Sequence, residues 1–254
     1  MNTPHHPVAS AEQWLAQRKA LLAREKELTH LKDQIARERR ALPWVRIDKH
    51  YVFDTPSGPR TFAELFGSRR QLVVQHFMFT PGAEQGCKSC SYMADHTDGA
   101  LAHLARRDTT VVAVSRAPLA DLERMRKRMG WQFSWVSSGE SAFNYDFHVS
   151  FTPEEMAGGT VYYNYVQQPF PHSDAPGVSV FYKDKDDGGQ VYLTYSTYGR
   201  GVEVMMHTYN FLDLTPLGRN EEGLSYPMEW VRHHDRYETA PVAATAASCC
   251  SAGA

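Results

Sequence analysis

The chain reads Phe79-Thr80-Pro81-Gly82-Ala83-Glu84-Gln85-Gly86-Cys87-Lys88-Ser89-Cys90 between an apolar, strand-like run and a helix-like segment. A thiol at the first turn of a helix faces backbone N–H groups that have no partner within the helix, and these favour the thiolate. Cys90 lies one helical turn beyond Cys87 and can close a small disulfide with it. The pair therefore predicts thiol–disulfide exchange, with Cys87 as the attacking thiolate and Cys90 as the resolving thiol.

Length, composition and charge exclude several classes of protein. With 254 residues, of which 42% are hydrophobic, the chain can form one large core or two modest ones. A formal net charge of −2 argues against a nucleic-acid binder. The apolar runs are far shorter than the roughly 20 residues that a membrane-spanning helix needs, so we expect no membrane partner. Residues 1–20 show no secretory signal, and four cysteines are too few for a disulfide scaffold, so we expect a cytoplasmic protein.

Residues 1–42 are predicted to form an N-terminal helical arm. Apolar side chains recur at intervals of seven along residues 10–42, and Pro43 ends the pattern. Such a rod is longer than a small domain needs for its own core, and its apolar seam predicts a homodimer through residues 10–42. Packing of the helix against its own domain is an alternative that the sequence leaves open. The seam residues are Trp14, Leu21, Leu28, Leu31, Ile35 and Leu42.

Residues 43–240 are predicted to form an α/β domain. Alternation over residues 45–53 indicates a strand, and the apolar runs at 72–79 and 111–114 indicate strands that helices bury on both faces. Helices are expected between these two runs, from Pro118 to Met129 and at about Val202–Leu212, and a hairpin over residues 178–195. An aromatic-rich insertion occupies about residues 139–175, and its rings either fill the core or wall a small-molecule pocket over the thiols.

This order of elements is that of a thioredoxin-like fold, and a set of short motifs adds a more specific likeness. The chain resembles the bacterial thioredoxin-like proteins grouped as domain-of-unknown-function family 899, over about residues 15–237. The motifs are Arg39-Arg40-Ala41-Leu42-Pro43-Trp44-Val45, His76-Phe77-Met78-Phe79, Gly86-Cys87, Ser89-Cys90, Ala94-Asp95-His96, Asp98-Gly99-Ala100, Val114-Ser115-Arg116-Ala117-Pro118, Met129-Gly130-Trp131 and Tyr195-Ser196-Thr197-Tyr198.

The resemblance implies a mixed thioredoxin-like sheet flanked by helices, with a reaction that is uncharacterised. The likeness to thioredoxins also implies that Pro176, just before the hairpin, is the cis-proline that lies against the disulfide and presents backbone to an extended substrate. Thioredoxins usually carry a tryptophan before the first cysteine, whereas this chain has Gly86 there. Because of this departure, the redox potential and partners of thioredoxins are not carried over to this chain. We expect the partner to be a disulfide-containing protein or a small thiol compound.

Histidines near the thiols are further candidates. His76 interrupts an apolar strand near the edge where thioredoxin-like sites form, and His96 follows Cys90 by six residues. Each is either a hydrogen-bonded structural histidine or a residue that binds substrate, as a base or ligand beside the thiols. Together with Pro176 they are the predicted substrate-binding residues.

A metal site is the alternative interpretation of the two thiols. C-x-x-C is half of a tetrahedral site, to which His96 could contribute from the same helix and His148 from the insertion. Redox exchange needs no cofactor, whereas this alternative takes copper, zinc or another thiophilic metal. The sequence leaves both open, as it does inert buried cysteines and a non-catalytic interaction module whose helix drives dimerisation.

Residues 241–254 are predicted to be a flexible tail that carries Cys249 and Cys250. The vicinal cysteines resemble the tail of mercuric reductases, which passes a soft metal to the active-site thiols. A relay of electrons or metal to Cys87 and Cys90 is one interpretation of this tail, and incidental terminal residues are the other.

Overall fold

The computed structural model of the chain describes residues 6–139 and 141–238. Its α-helices are Ala11–Arg40 (α1), Lys88–Ala94 (α2), Leu101–Arg106 (α3), Leu119–Met129 (α4), Phe143–Asp146 (α5), Pro153–Ala157 (α6) and His207–Leu212 (α7). Its strands are Val45–Arg46 (β1), Val52–Phe53 (β2), Arg60–Thr61 (β3), Gln71–His76 (β4), Thr109–Ser115 (β5), Ser134–Ser137 (β6), Val161–Tyr163 (β7), Val166–Gln168 (β8), Gly177–Asp184 (β9) and Gln190–Tyr198 (β10). Short 3-10 helices span Phe62–Phe66, Asp98–Ala100, Gly199–Met205 and His234–Arg236.

A mixed six-stranded sheet carries β1, β10, β9, β4, β5 and β6 in that order. β4, β5 and β6 run parallel, whereas β9 pairs with β4 and β10 with β9 in the antiparallel sense. The connection from β4 to β5 contains α2 and α3, and the β9–β10 hairpin lies on the other side of β4. This is the predicted thioredoxin-like arrangement, and the predicted fold class is confirmed.

The two faces of the sheet bury different clusters. Leu72 and Val74 of β4 pack with the insertion on one face, whereas Val73 contacts the cluster around α2 on the other, as the alternation of side chains along a strand requires. Most aromatic rings of the insertion therefore fill the core on the face opposite α2. Its buried aromatic residues in this cluster are Phe143, Phe147, Phe151 and Tyr163.

The arm helix α1 begins at a capping box, in which the Ser10 hydroxyl accepts from the Gln13 N–H and the Gln13 side chain accepts from the Ser10 N–H. None of its residues is buried. Its predicted seam residues are all exposed, together with Leu15 and Leu22. In this structure the helix does not pack against its own domain through that seam, so the homodimer stays a prediction.

We expect the full chain to be a dimer in solution, because a second copy would remove the exposed seam of α1 from water. Leu21→Glu with Leu28→Glu should give a monomer in size-exclusion chromatography with light scattering. Ala16→Glu with Ala23→Glu is the matched control, since these positions lie on the opposite side of the helix. A monomeric full chain at tens of micromolar, or a seam variant that remains dimeric, would contradict this prediction.

Two sequence predictions of local structure were wrong in detail. The segment 45–53 is not one strand, because the chain leaves the sheet edge after β1, and Tyr51 and Phe53 enter the core separately. The predicted helix at about Val202–Leu212 is a 3-10 helix followed by α7, broken at Met206, whose ψ of 76° is not helical. Within the described residues, no helix combines the length and the apolar character needed to cross a membrane.

Candidate redox site at Cys87 and Cys90

The loop that follows β4 places Cys87 at the start of α2. Cys87 donates its backbone N–H to the carbonyl of Met78 at 2.9 Å, and its own carbonyl accepts from the Ser91 N–H at 3.0 Å. The preceding residue is a glycine for steric reasons, because a Cβ on Gly86 would lie 2.7 Å from the ring of Phe77. The start of α2 is thus held between the end of β4 and the core beneath it.

Gly86→Ala is expected to lower the free energy of unfolding by about 1–3 kcal/mol, because the added methyl group forces the Phe77 ring to move in a packed core. Gly99→Ala is the control, since nothing lies within 4 Å of its Cβ position. Urea unfolding of both variants checks the difference. Equal losses at the two positions would show that close packing at Gly86 is unimportant.

The two thiols are in contact and are free rather than disulfide-bonded. The Cys90 thiol donates a hydrogen bond to the Cys87 sulfur, which lowers the pKa of Cys87 to about 6, with help from the backbone N–H groups of Cys90 and Ser89 and against the effect of burial. The same hydrogen bond and burial raise the pKa of Cys90 well above its ordinary value. Cys87 is partly exposed and Cys90 is buried. Cys87 is therefore the reactive thiol of the pair, and Cys90 is the thiol that keeps its proton.

Two buried polar side chains, Gln75 and Asp174, act on Cys90. The Gln75 side chain donates to the Cys90 carbonyl at 3.0 Å. The carboxylate of Asp174, whose charge adds to the raised pKa of Cys90, accepts from Arg116 at 2.7 Å and from the Ser150 hydroxyl at 2.8 Å. The negative charge of Asp174 thus disfavours a second negative charge on Cys90.

The structure places Pro176 directly before β9, whose first residue Gly177 pairs with His76 at the end of β4. The described residues contain no cis peptide bond, so the bond before Pro176 is trans, and the likeness to thioredoxins does not extend to this bond. The Tyr163 hydroxyl donates to the Pro176 carbonyl at 2.7 Å and accepts from the Gly199 N–H at 2.9 Å.

His76 is a core histidine and does not join the thiols. It is fully buried on the face of the sheet opposite Gln75, because neighbouring side chains along β4 alternate between faces. Its Nε2 is 2.8 Å from the Ser179 hydroxyl, its ring stacks on Phe147, and burial lowers its pKa to about 3. His76 therefore has the surroundings of a hydrogen-bonded structural histidine, one of the two possibilities that the sequence left open, and its predicted binding of substrate is not supported by this geometry.

His96 also lies away from the sulfurs, beyond the C-terminal end of α2. It follows Cys87 by nine residues, which corresponds to roughly 13 Å along a helix. Its Nε2 accepts from the Thr208 N–H at 3.1 Å and lies 2.7 Å from the hydroxyl of the same residue. Burial and the neighbouring His207 lower its pKa. It joins α7 to the end of α2, and its predicted contact with substrate at the thiols is not supported by this geometry.

The set Cys87, Cys90, His96 and His148 does not form the metal site that the alternative interpretation requires. His148 packs edge-on against Tyr162, with ring centroids 4.7 Å apart, in the insertion. Over residues 6–139 and 141–238, no group of three or more histidine, cysteine, aspartate or glutamate side chains is placed to hold a metal ion. Cys249 and Cys250 lie outside the described residues, and the predicted relay of electrons or metal through them lies there too.

The sequence analysis missed a segment that contacts the site from the C-terminal end of the chain. We call residues 228–236 the strap. His233 of the strap places its Nε2 3.0 Å from the Gly86 carbonyl, and the Glu229 carbonyl accepts from the Lys88 side chain at 2.9 Å. The two contacted residues flank Cys87. A histidine pair at 233–234 was the visible signal, but local sequence does not reveal a partner so far away in the chain.

The chain is similar to solved structures of peroxiredoxins and matches one protein family. A peroxidoxin BcpB structure from Mycobacterium tuberculosis is 11% identical, with a TM-score of 0.44, and the match covers 65% of this chain and 95% of that one. A Xanthomonas campestris peroxiredoxin Q mutant is 13% identical, with a TM-score of 0.41, and the match covers 63% and 90%. No curated protein matches the chain. Residues 3–237 match the family described as "Bacterial protein of unknown function (DUF899)", and the chain belongs to that family.

Proposed function

We propose that this protein is a dithiol–disulfide oxidoreductase that acts through Cys87 and Cys90. The observation that carries the proposal is the hydrogen bond from the Cys90 thiol to the Cys87 sulfur, which joins a partly exposed thiol of lowered pKa to a buried thiol of raised pKa. One thiol of such a pair is ionised near neutral pH and reachable, while the other keeps its proton. These are the requirements for attack and for resolution, respectively.

The reaction begins with the Cys87 thiolate, which attacks one sulfur of a substrate disulfide and expels the other as a thiolate. This leaving group takes a proton from solvent, and Cys87 is held in a mixed disulfide. Cys90 then loses its proton and attacks the Cys87 sulfur, which releases the second substrate thiolate. The substrate gains two electrons, and Cys87 and Cys90 are left as an internal disulfide.

The environment of Cys90 supports this order of events. Part of the rise in the pKa of Cys90 comes from its hydrogen bond to Cys87 and from the negative charge of Cys87. Both effects disappear once Cys87 is bound in a mixed disulfide, because its sulfur is then neutral. The pKa of Cys90 consequently falls when its thiolate is needed, whereas burial keeps it unreactive toward outside reagents before that step.

Mass spectrometry after alkylation tests this function. In a Cys249→Ser, Cys250→Ser background, the reduced protein is treated with bis(2-hydroxyethyl) disulfide and then with iodoacetamide under denaturing conditions. We expect both remaining thiols to be protected from alkylation, and dithiothreitol to restore them. If both thiols stay alkylatable after prolonged treatment with the disulfide, the proposal is wrong.

A further inference from the structure

The strap forms a wall along one side of Cys87. His233 binds the carbonyl of the residue before Cys87, and the residue after it, Lys88, binds the Glu229 carbonyl. A third contact joins His234 to Asp95 at 2.7 Å, just beyond α2. The strap therefore follows α2 from the thiol to the far end of the helix.

The wall is firmly attached to the domain. Val231, at its centre, is completely buried in the cluster that contains Tyr92 and Met93 of α2. The Glu221 carboxylate accepts from the Met228 N–H at 3.0 Å and from the Trp230 indole at 2.7 Å. Because the strap has a buried apolar anchor and charge-assisted hydrogen bonds, a substrate cannot displace it without loss of these contacts.

On the sheet side, Tyr163 lies close enough to Cys90 for the charge of that thiol to contribute to the raised pKa of the phenol, and the backbone that Tyr163 contacts at Pro176 is already engaged. The Ala175 N–H donates to the Val149 carbonyl at 2.9 Å, and the Pro176 carbonyl accepts from Tyr163. A proline has no N–H, so at most one backbone polar group of these two residues, the Ala175 carbonyl, remains for a substrate. An extended peptide binds a sheet edge through a row of donors and acceptors, and this position does not offer one.

From these two features we propose that the site accepts small disulfides, those of low-molecular-weight thiols, and excludes the disulfides of proteins. The inference rests on the proposed function and narrows its substrate class. A small disulfide needs only the exposed part of Cys87, whereas a polypeptide needs space that the strap occupies and backbone partners that Tyr163 and Val149 take. In this thiol–disulfide exchange, one small disulfide is reduced to two thiols, and Cys87 and Cys90 are oxidised to a disulfide.

Oxidation of the reduced pair by two probes tests this selectivity. In the Cys249→Ser, Cys250→Ser background, second-order rate constants are measured per disulfide for bis(2-hydroxyethyl) disulfide and for insulin. We expect the small probe to react about 100-fold faster or more, since a polypeptide must break the three strap hydrogen bonds at Gly86, Lys88 and Asp95.

Substitutions in the strap contact and at Tyr163 distinguish an effect on substrate selectivity from a change in the general reactivity of the thiols. Lys88→Ala removes one strap contact and Tyr163→Phe frees the Pro176 carbonyl, so each should raise the insulin rate relative to that of the small probe. Tyr165→Phe is the matched control, because the Tyr165 hydroxyl binds the Ser196 carbonyl instead, and it should leave the ratio unchanged.

The outcomes distinguish this inference from the proposed function. If insulin oxidises the pair within tenfold of the rate of the small disulfide, the inference is overturned and the function stands. If neither probe produces the Cys87–Cys90 disulfide, the function itself fails and the inference with it. A ratio that neither wall variant changes would show that the strap and Tyr163 do not set the selectivity.

Discussion

Cys87→Ser is expected to lower the rate of disulfide reduction at least roughly 1,000-fold, because a serine hydroxyl stays protonated near neutral pH and is a poor nucleophile toward sulfur. The measurement is the consumption of bis(2-hydroxyethyl) disulfide by the reduced protein, with dithiothreitol absent during the reaction. The substitution replaces one atom at a partly exposed position, so the fold should be retained and circular dichroism can confirm it. A variant that keeps the rate would remove Cys87 from its assigned role.

Cys90→Ser provides the complementary result. The attacking thiolate is still present, so the first exchange should proceed, but no thiol remains to resolve the product. We expect a stable mixed disulfide between Cys87 and the small thiol, seen as one added substrate half by intact-mass spectrometry. The Cys249→Ser, Cys250→Ser background is the control and should turn over without such an adduct. An adduct on Cys90 of the Cys87→Ser variant would reverse the two assignments.

The rate of Cys87 alkylation is expected to depend strongly on pH. The pKa of Cys87 is lowered to about 6 in the folded protein, so its reaction with iodoacetamide should rise with pH through a midpoint near 6 and be level above about pH 7. A thiol with its ordinary pKa would still be mostly protonated at pH 7. The direction of the shift therefore predicts a reactive thiolate at neutral pH, lost as the pH falls below 6.

Cys90→Ala should move this midpoint upward, since it removes the hydrogen bond that contributes most to the lowered pKa. The backbone N–H groups of Ser89 and residue 90 remain, so part of the shift should persist. The midpoint is the decisive quantity rather than the rate at one pH, because thiolates of higher pKa are intrinsically more nucleophilic. A wild-type midpoint near 9, or a midpoint that Cys90→Ala leaves in place, would contradict the role of the sulfur contact.

Most of the sheet could be predicted from local patterns. The apolar runs that became β4 and β5 and the hairpin of β9 and β10 are each signalled within a few residues. The segment 45–53 could not be predicted correctly, because its alternation reflects two short strands in different sheets rather than one. The structure of the aromatic insertion could not be predicted from local sequence either, since its rings pack against strands that are distant in the chain.

The histidines show why a site is harder to predict than a fold. His76 and His96 are near Cys87 or Cys90 in sequence, yet one lies on the opposite face of the sheet and the other binds Thr208. His233, which does approach the site, is 147 residues from its partner Gly86. Proximity along the chain was therefore a poor guide to contact.

By itself, the sequence determined the α/β order of elements and the placement of two thiols one turn apart at the start of a helix, because these depend on spacing and periodicity among neighbouring residues. Only the tertiary structure decided which thiol is buried and which groups surround the pair. These depend on the packing of α2 against the sheet and of the strap against α2. Desolvation and hydrogen bonding from distant residues set the environment of a thiol, and neither is encoded in local spacing.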